Sequence, residues 1–188
     1  MTDVEPVDER ARSLLGRVLH GHGVSVRVSE VEAYGGVHDP ASHAFTRTAR
    51  SETMYGPPWQ LYVYRSYGMH WCANIVTGPT EQAAAVLVRA GEVVEGVDIA
   101  RERRGNVPDV RLARGPGNLA RALGITDADL GTALLEPGGV TLGPAVADPG
   151  PLTAGPRVGV SQAADVPWRF WLTSDPTVSA YRRSSRAG

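Results

Sequence analysis

The sequence predicts an α+β fold in a single domain, residues 1–188, and three observations carry that reading. A chain of 188 residues is of ordinary length for one domain and long enough to bury a core without disulfide or metal staples. Apolar residues recur at helical spacing in some stretches and alternate with a period of two in others. Two of the alternating stretches flank Gly68 closely enough to pair as a hairpin.

Asp8 to Leu19 carries Ala11, Leu14, Leu15 and Val18 at spacings of three to four, which predicts a short amphipathic helix. The period then changes to two. Val24, Val26 and Val28 alternate with polar partners, and the run continues through Glu30, Val31, Glu32, Ala33 and Tyr34, predicting a long strand that ends at Gly35-Gly36. From Gly35 to Pro58 the chain is polar and aperiodic, a loop of the length that is usually functional or disordered. Leu61 to Met69 holds Tyr62, Tyr64 and Tyr67, three of the six tyrosines. On an extended strand Tyr62 and Tyr64 share a face, while Tyr67 is out of phase and stands beside a glycine where the strand should turn. His70 to Val76 is the returning arm. Ala84 to Ala90 reads as a buried strand that delivers Arg89. Val93 to Arg104 reads as a helix, and Leu119 to Leu123 as a short helix entered through Gly115-Pro116-Gly117-Asn118. Gly138 to Pro156 predicts turns between short strands. Arg157 to Val160 and Trp168 to Thr173 are the last strands, before a basic tail at Arg182, Arg183 and Arg186.

Composition narrows the function. The single cysteine, Cys72, cannot close an internal disulfide and rules out a multi-cysteine metal centre, so a reducing, cytoplasmic setting is the default expectation. The chain opens without a basic-then-apolar leader and carries no apolar run of membrane-spanning length. A net charge of −1 argues against bulk attraction to nucleic acid, so any such face must be local. All nineteen basic residues are arginine, a bias that a GC-rich genome accounts for. Its chemical consequence is that no lysine is present to form a Schiff base, which leaves only the N-terminal amine for imine chemistry.

Glu32, near the end of a strand and just before the long loop, could act as a general base or steady a developing cation, with Glu30 on the same face. Read alone, an exposed strand glutamate is the more ordinary account. Likewise, the tyrosines could hold a flat base and wedge into a base stack, or could simply pack a half-buried hairpin. Neither His20 with His22 nor His38 with His43 has a firmly helical spacing, and no acidic or thiol ligand completes a familiar metal motif. Gly115-Pro116-Gly117-Asn118 could offer backbone amides to a phosphate, but it lacks the Lys-Ser/Thr of a Walker A loop and reads more simply as a turn that caps a helix.

Taken together, Val31-Glu32-Ala33-Tyr34, His43, Leu61-Tyr62-Val63-Tyr64 with Tyr67-Gly68-Met69, Asn74, Leu87-Val88-Arg89-Ala90, Ala113 to Leu119, Arg157-Val158-Gly159-Val160 and the Trp168-to-Thr173 strand resemble the alkyladenine (3-methyladenine) DNA glycosylase family. The resemblance spans nearly the whole chain, and the order and spacing of the motifs are what make it specific. It implies an α+β domain with a curved, mainly antiparallel mixed sheet, flanking helices and a protruding hairpin that enters the DNA minor groove. It further implies Glu32 as the general base, and Arg89, with main chain near Val160, as holders of the attacking water. Tyr34, Ala41, His43, Tyr64 and Val160 would line the base pocket, with Asn74 as a steric gate against the exocyclic amino group of guanine. Tyr67 would fill the gap left by the flipped nucleotide, and Met54 would belong to the loop that contacts the opposite strand. Apart from the resemblance, Arg65 could reach a phosphate and Arg50 is a further expected DNA contact. Tyr62 remains as structural support.

The expected activity is removal of alkylated or deaminated purines from double-stranded DNA by a monomer that needs no cofactor and no metal, associated with the bacterial nucleoid through its DNA. Hydrolysis of an N-glycosidic bond builds positive charge on the sugar, so one carboxylate can both stabilise that charge and take a proton from water. A cationic alkylpurine leaves readily and stacks well on tyrosine, whereas hypoxanthine or ethenoadenine depends more on pocket hydrogen bonds. Without lysine, a strand-cutting amine mechanism is not expected. Arg65-Ser66 and Phe45-Thr46 depart from the family pattern. Two alternatives stand beside this reading: a non-catalytic nucleic-acid-binding module of the same fold, similar to the RNA-binding domain appended to formyltransferases, and a glycosylase for bulky adducts.

Overall fold

A computed structural model describes residues 5–187, so the two ends of the expected 1–188 domain lie outside it. Two eleven-residue strands form the spine of the molecule: β2 (Val24–Tyr34) and β5 (Ala85–Glu95), paired antiparallel along nearly their whole length. β3 (Leu61–Ser66) and β4 (His70–Val76) extend the sheet beyond β5. β1 (Val18–Gly21) and β7 (Val140–Leu142) extend it beyond β2, giving the order β3-β4-β5-β2-β1-β7. The outer edge of β2 is shared: Val24 to Arg27 pair with β1, whereas Glu30 to Glu32 pair with β9 (Arg169–Leu172), which carries β8 (Leu152–Gly155). The outer edge of β5 divides in the same way, between β4 and β6 (Ala113–Arg114). Every named pairing is antiparallel, so the sheet of the described residues is not mixed. The sheet is curled into a half-barrel.

A bulge decides what β2 shows to each side. Before it, Val24, Val26 and Val28 enter the core; after it, Val31 and Ala33 do. Strict alternation from Val24 would have driven Glu30 and Glu32 into that same core. The register instead steps from Val28 opposite Gly91 to Glu30 opposite Ala90, leaving Ser29 as the extra residue, and the phase flips. Glycine is required opposite the bulge: a Cβ on Gly91 would lie 2.4 Å from the Arg27 carbonyl oxygen. The valines and Ala33 thus pack with the core while Glu30, Glu32 and Tyr34 turn to the other face.

The core joins that apolar face to α1 (Val7–Arg12), α2 (Val97–Arg104) and α3 (Pro116–Leu123), with Leu14, Leu15, Leu119, Leu123 and Phe170 among its members. Burial of each such side chain contributes ~1.5–3 kcal/mol. Several sequence expectations need correction. The first helix stops at Arg12: the chain turns through Gly16, at φ +80°, and Val18 and Leu19 already belong to β1. Val93 lies in β5, because the strand runs on to Glu95 and Gly96 at φ +70° starts the helix only at Val97. Arg157 to Val160 is not a strand but an irregular segment with Gly159 at φ +72°. The hairpin forms as expected, with Tyr67 (φ +50°) and Gly68 (φ +66°) at its turn, closed by the Met69 N–H on the Ser66 carbonyl.

Candidate active site

One rung of the sheet makes the floor of a cavity of about 560 Å³. Glu32 on β2 lies opposite Leu87 on β5, Leu87 opposite Asn74 on β4, and Asn74 opposite Tyr62 on β3. Directly paired residues point to the same face, so register alone brings these four side chains together from distant parts of the sequence.

Glu32 is 0% exposed, not the surface glutamate that is ordinary for a strand. Its Oε1 accepts the Val158 N–H at 2.7 Å and lies 3.2 Å from Arg89 Nη1, and its Oε2 accepts the Tyr34 hydroxyl at 2.9 Å. Arg89 is shared between two carboxylates, since its Nε donates to Glu30 Oε1 at 2.8 Å. Burial would lower the Arg89 pKa, but Glu32 and Glu30 outweigh it and raise it, so the guanidinium stays charged. Glu30 is itself held by Arg169 Nε at 2.7 Å and by the backbone N–H and hydroxyl of Ser179. Burial pushes Glu30 up, and Arg89, Arg169 and the Ser179 N–H more than reverse it, leaving its carboxyl below the ordinary range. A buried charge needs such partners to remain charged.

The walls are aromatic. The Tyr62 and Tyr64 ring centroids are 5.8 Å apart, and His43 meets Tyr64 edge-on at 4.5 Å. His43 Nδ1 shares a hydrogen bond with the Tyr62 hydroxyl at 3.1 Å. Although the outer edge of His43 faces solvent, desolvation of the inner part of its ring and then the charge of Arg50 bring its pKa down from 6.5 to about 4, so it is neutral at physiological pH. Burial raises Tyr34 and Tyr64, keeping both hydroxyls protonated as donors. The Asn74 amide donates to the Tyr62 carbonyl at 3.2 Å, which fixes its orientation between β3 and β4.

Ala41, Val160, Arg50 and Tyr67 stand around the opening. The Arg50 guanidinium lies over Tyr64, 5.2 Å from the ring centroid, and Arg65 over Trp71 at 5.3 Å. Tyr67 is 90% exposed. Met54, expected as a DNA contact, is 2% exposed and packs with Ala44, Tyr55 and Tyr62 as part of the cavity wall. The backbone donor on Glu32 comes from Val158, two residues before Val160. Tyr62, expected only as support, lines the cavity. His20 and His22 bond instead to Ser25 and Asp129, and neither lines the cavity that His43 lines. Gly115 is the N-cap of α3, as its turn-forming sequence suggests. The sequence reading missed Asp39, Ser179 and the side chain of Arg157. The Asp39–Arg157 pair joins residues 118 apart in the chain and the Ser179–Glu30 pair residues 149 apart, and no local pattern announces either.

Residues 2–176 match the family model described as methylpurine-DNA glycosylase. The chain belongs to that family. It is 52% identical to a protein of Mycobacterium tuberculosis H37Rv over 98% of this chain and 93% of the relative. It is 56% identical to one of Nocardia farcinica over 94% and 88%, and 55% identical to one of Mycolicibacterium paratuberculosis over 98% and 92%. All three carry the name "putative 3-methyladenine DNA glycosylase". Membership makes the protein a DNA repair hydrolase that acts on N-glycosyl bonds, with damaged DNA as its substrate. Among the described residues no helix is long and apolar enough to cross a membrane.

Proposed function

We propose that the cavity receives a purine turned out of double-stranded DNA and that Glu32 activates the water that releases it. The observation that carries this reading is a fully buried carboxylate at the floor of an aromatic-walled cavity, with Arg89 and the Val158 N–H fixing its orientation. Water gives its proton to Glu32 as its oxygen bonds to C1′ of the deoxyribose. The C1′–N9 bond breaks, and its electron pair leaves with the base. For an N3- or N7-alkylated purine those electrons neutralise a charge the base already carries, so no acid is needed. The Glu32 charge also opposes the cation that develops on the sugar.

Tyr34 and Tyr64 supply stacking faces, and neutral His43 offers hydrogen bonding to deaminated or etheno purines. Asn74, held by its bond to Tyr62, gates against the amino group of guanine, while Ala41 and Val160 border the base. Tyr67 fits the wedge role: it pairs near-complete exposure with a left-handed backbone that disfavours non-glycine residues by ~1–2 kcal/mol. Arg50 and Arg65 meet phosphates. The chain acts as one glycosylase domain and a monomer, and leaves an abasic site in an uncut strand, since it has no lysine to attack the sugar.

Duplexes carrying a single 3-methyladenine, hypoxanthine or ethenoadenine test the reading. Free base should appear in the supernatant, with strands that break only on alkali treatment. Binding without base release would make the protein a recognition module, and cleavage without alkali would refute the monofunctional mechanism.

A further inference from the structure

Asp39 and Arg157 form a buried pair outside the set that touches the base or the sugar. Arg157 is fully buried, and its two terminal nitrogens grip Asp39 bidentately: Nη2 donates to Oδ1 at 2.9 Å and Nη1 to Oδ2 at 2.5 Å. Nη1 also donates to the Ala33 carbonyl at 3.0 Å, on the strand between Glu32 and Tyr34. Each Asp39 oxygen accepts a second, backbone donor, Ala41 N–H on Oδ1 and Gly35 N–H on Oδ2, both at 3.1 Å. The guanidinium carbon lies 4.8 Å from the centroid of the Tyr34 ring. The residue after Arg157 is Val158, whose N–H holds Glu32.

Stability is a poor account of this pair. A buried ion pair contributes little over an apolar replacement of similar shape, and Arg157 Nε is buried with no hydrogen-bond partner, a further penalty. Its placement serves the site. One grip ties together the turn that brings Ala41 to the opening, the strand bearing Glu32 and Tyr34, and the irregular segment that delivers Val158. Resting on the glycosylase reading, we infer that Asp39 and Arg157 are positioning residues for the chemical step, fixing the Glu32 carboxylate through Val158 and bracing Tyr34 from its side.

The test separates chemistry from binding. Arg157→Lys keeps the buried charge but cannot span both Asp39 oxygens, and Asp39→Asn combined with Arg157→Met removes both charges, so no unpaired ion remains to unfold the protein. In each, single-turnover base release should fall by ~10- to 100-fold, the order expected of a misplacement near 1 Å. Affinity for a duplex with a tetrahydrofuran abasic-site analogue should stay within about threefold, a ΔΔG below about 0.7 kcal/mol. Amide exchange at Val158 should also accelerate in Arg157→Lys. A wild-type release rate in Arg157→Lys, a parallel loss of rate and affinity, or unchanged Val158 exchange overturns the inference. If the wild-type protein releases no base, the glycosylase reading falls, while Val158 exchange still decides whether the clamp exists.

Discussion

Glu32→Gln bears most directly on the mechanism, because it changes charge with little change of shape. The amide oxygen can still accept the Val158 N–H, and the amide nitrogen can donate to the Tyr34 hydroxyl oxygen once that hydroxyl turns. Arg89 keeps Glu30 but loses its contact with a second carboxylate, 3.2 Å away. One charge-assisted interaction is worth ~1.5–3 kcal/mol, so stability should fall by about 2 kcal/mol and the protein should still fold. The rate should respond far more. Loss of a general base removes ~10²–10⁴, and loss of the charge facing the sugar removes ~10²–10³. These effects share one group and do not add fully, so the expected loss is ~10³–10⁵, or about 4–7 kcal/mol in the barrier. Single-turnover release of 3-methyladenine, with enzyme in excess over a one-lesion duplex, measures it, and thermal melting checks the fold. A folded variant within about tenfold of the wild-type rate would remove Glu32 as the base.

Tyr67→Ala should leave the melting temperature unchanged, since the side chain packs against little. It should reduce release from duplex far more than from single-stranded substrate, because only the duplex has a gap to fill; equal losses would end the wedge assignment. His43 gives a pH signature. Its folded pKa of about 4 lies below its ordinary 6.5, so the unfolded chain binds more protons between those values. Stability is therefore present above about pH 6.5 and is lost as pH falls towards 4. Urea midpoints should show a smaller acid loss in His43→Gln than in wild type, and identical pH profiles would contradict the shift. Gly36→Ala places a Cβ 1.9 Å from the Ala83 carbonyl oxygen at a φ of +64°. A stability loss above about 2 kcal/mol by denaturant titration is expected, and a neutral effect would show that the turn relaxes freely.

Much of the site was legible because its residues lie on strands whose phase can be read. Tyr62 and Tyr64 share a face as their spacing requires, and Arg89 ends an apolar run that is a buried strand. The burial of Glu32 was not legible, since it depends on a bulge and on the register of β5 and β9. The overlong first helix has a local cause: Leu14 and Leu15 keep helical spacing through a turn that is no longer helix, and both still enter the core. Val93 and Val97 misled in the same way, falling four apart across a strand end and a helix start. The burial of Met54 was not legible either, since it follows from packing against Ala44, Tyr55 and Tyr62.

The division of labour along β2 has an evolutionary reading. Glu32 sits on a strand hydrogen-bonded along both edges, to β5 on one and β9 on the other, so it can shift only if the centre of the sheet opens. The exposed stretch from Phe45 to Arg50 and the hairpin tip are tied down far less. Hydrogen exchange should therefore be slowest beneath the carboxylate and fastest around the opening. A lineage that meets new lesions can vary exposed positions of those two rims while the clamp of Arg157 on Asp39 and the reaction itself stay fixed.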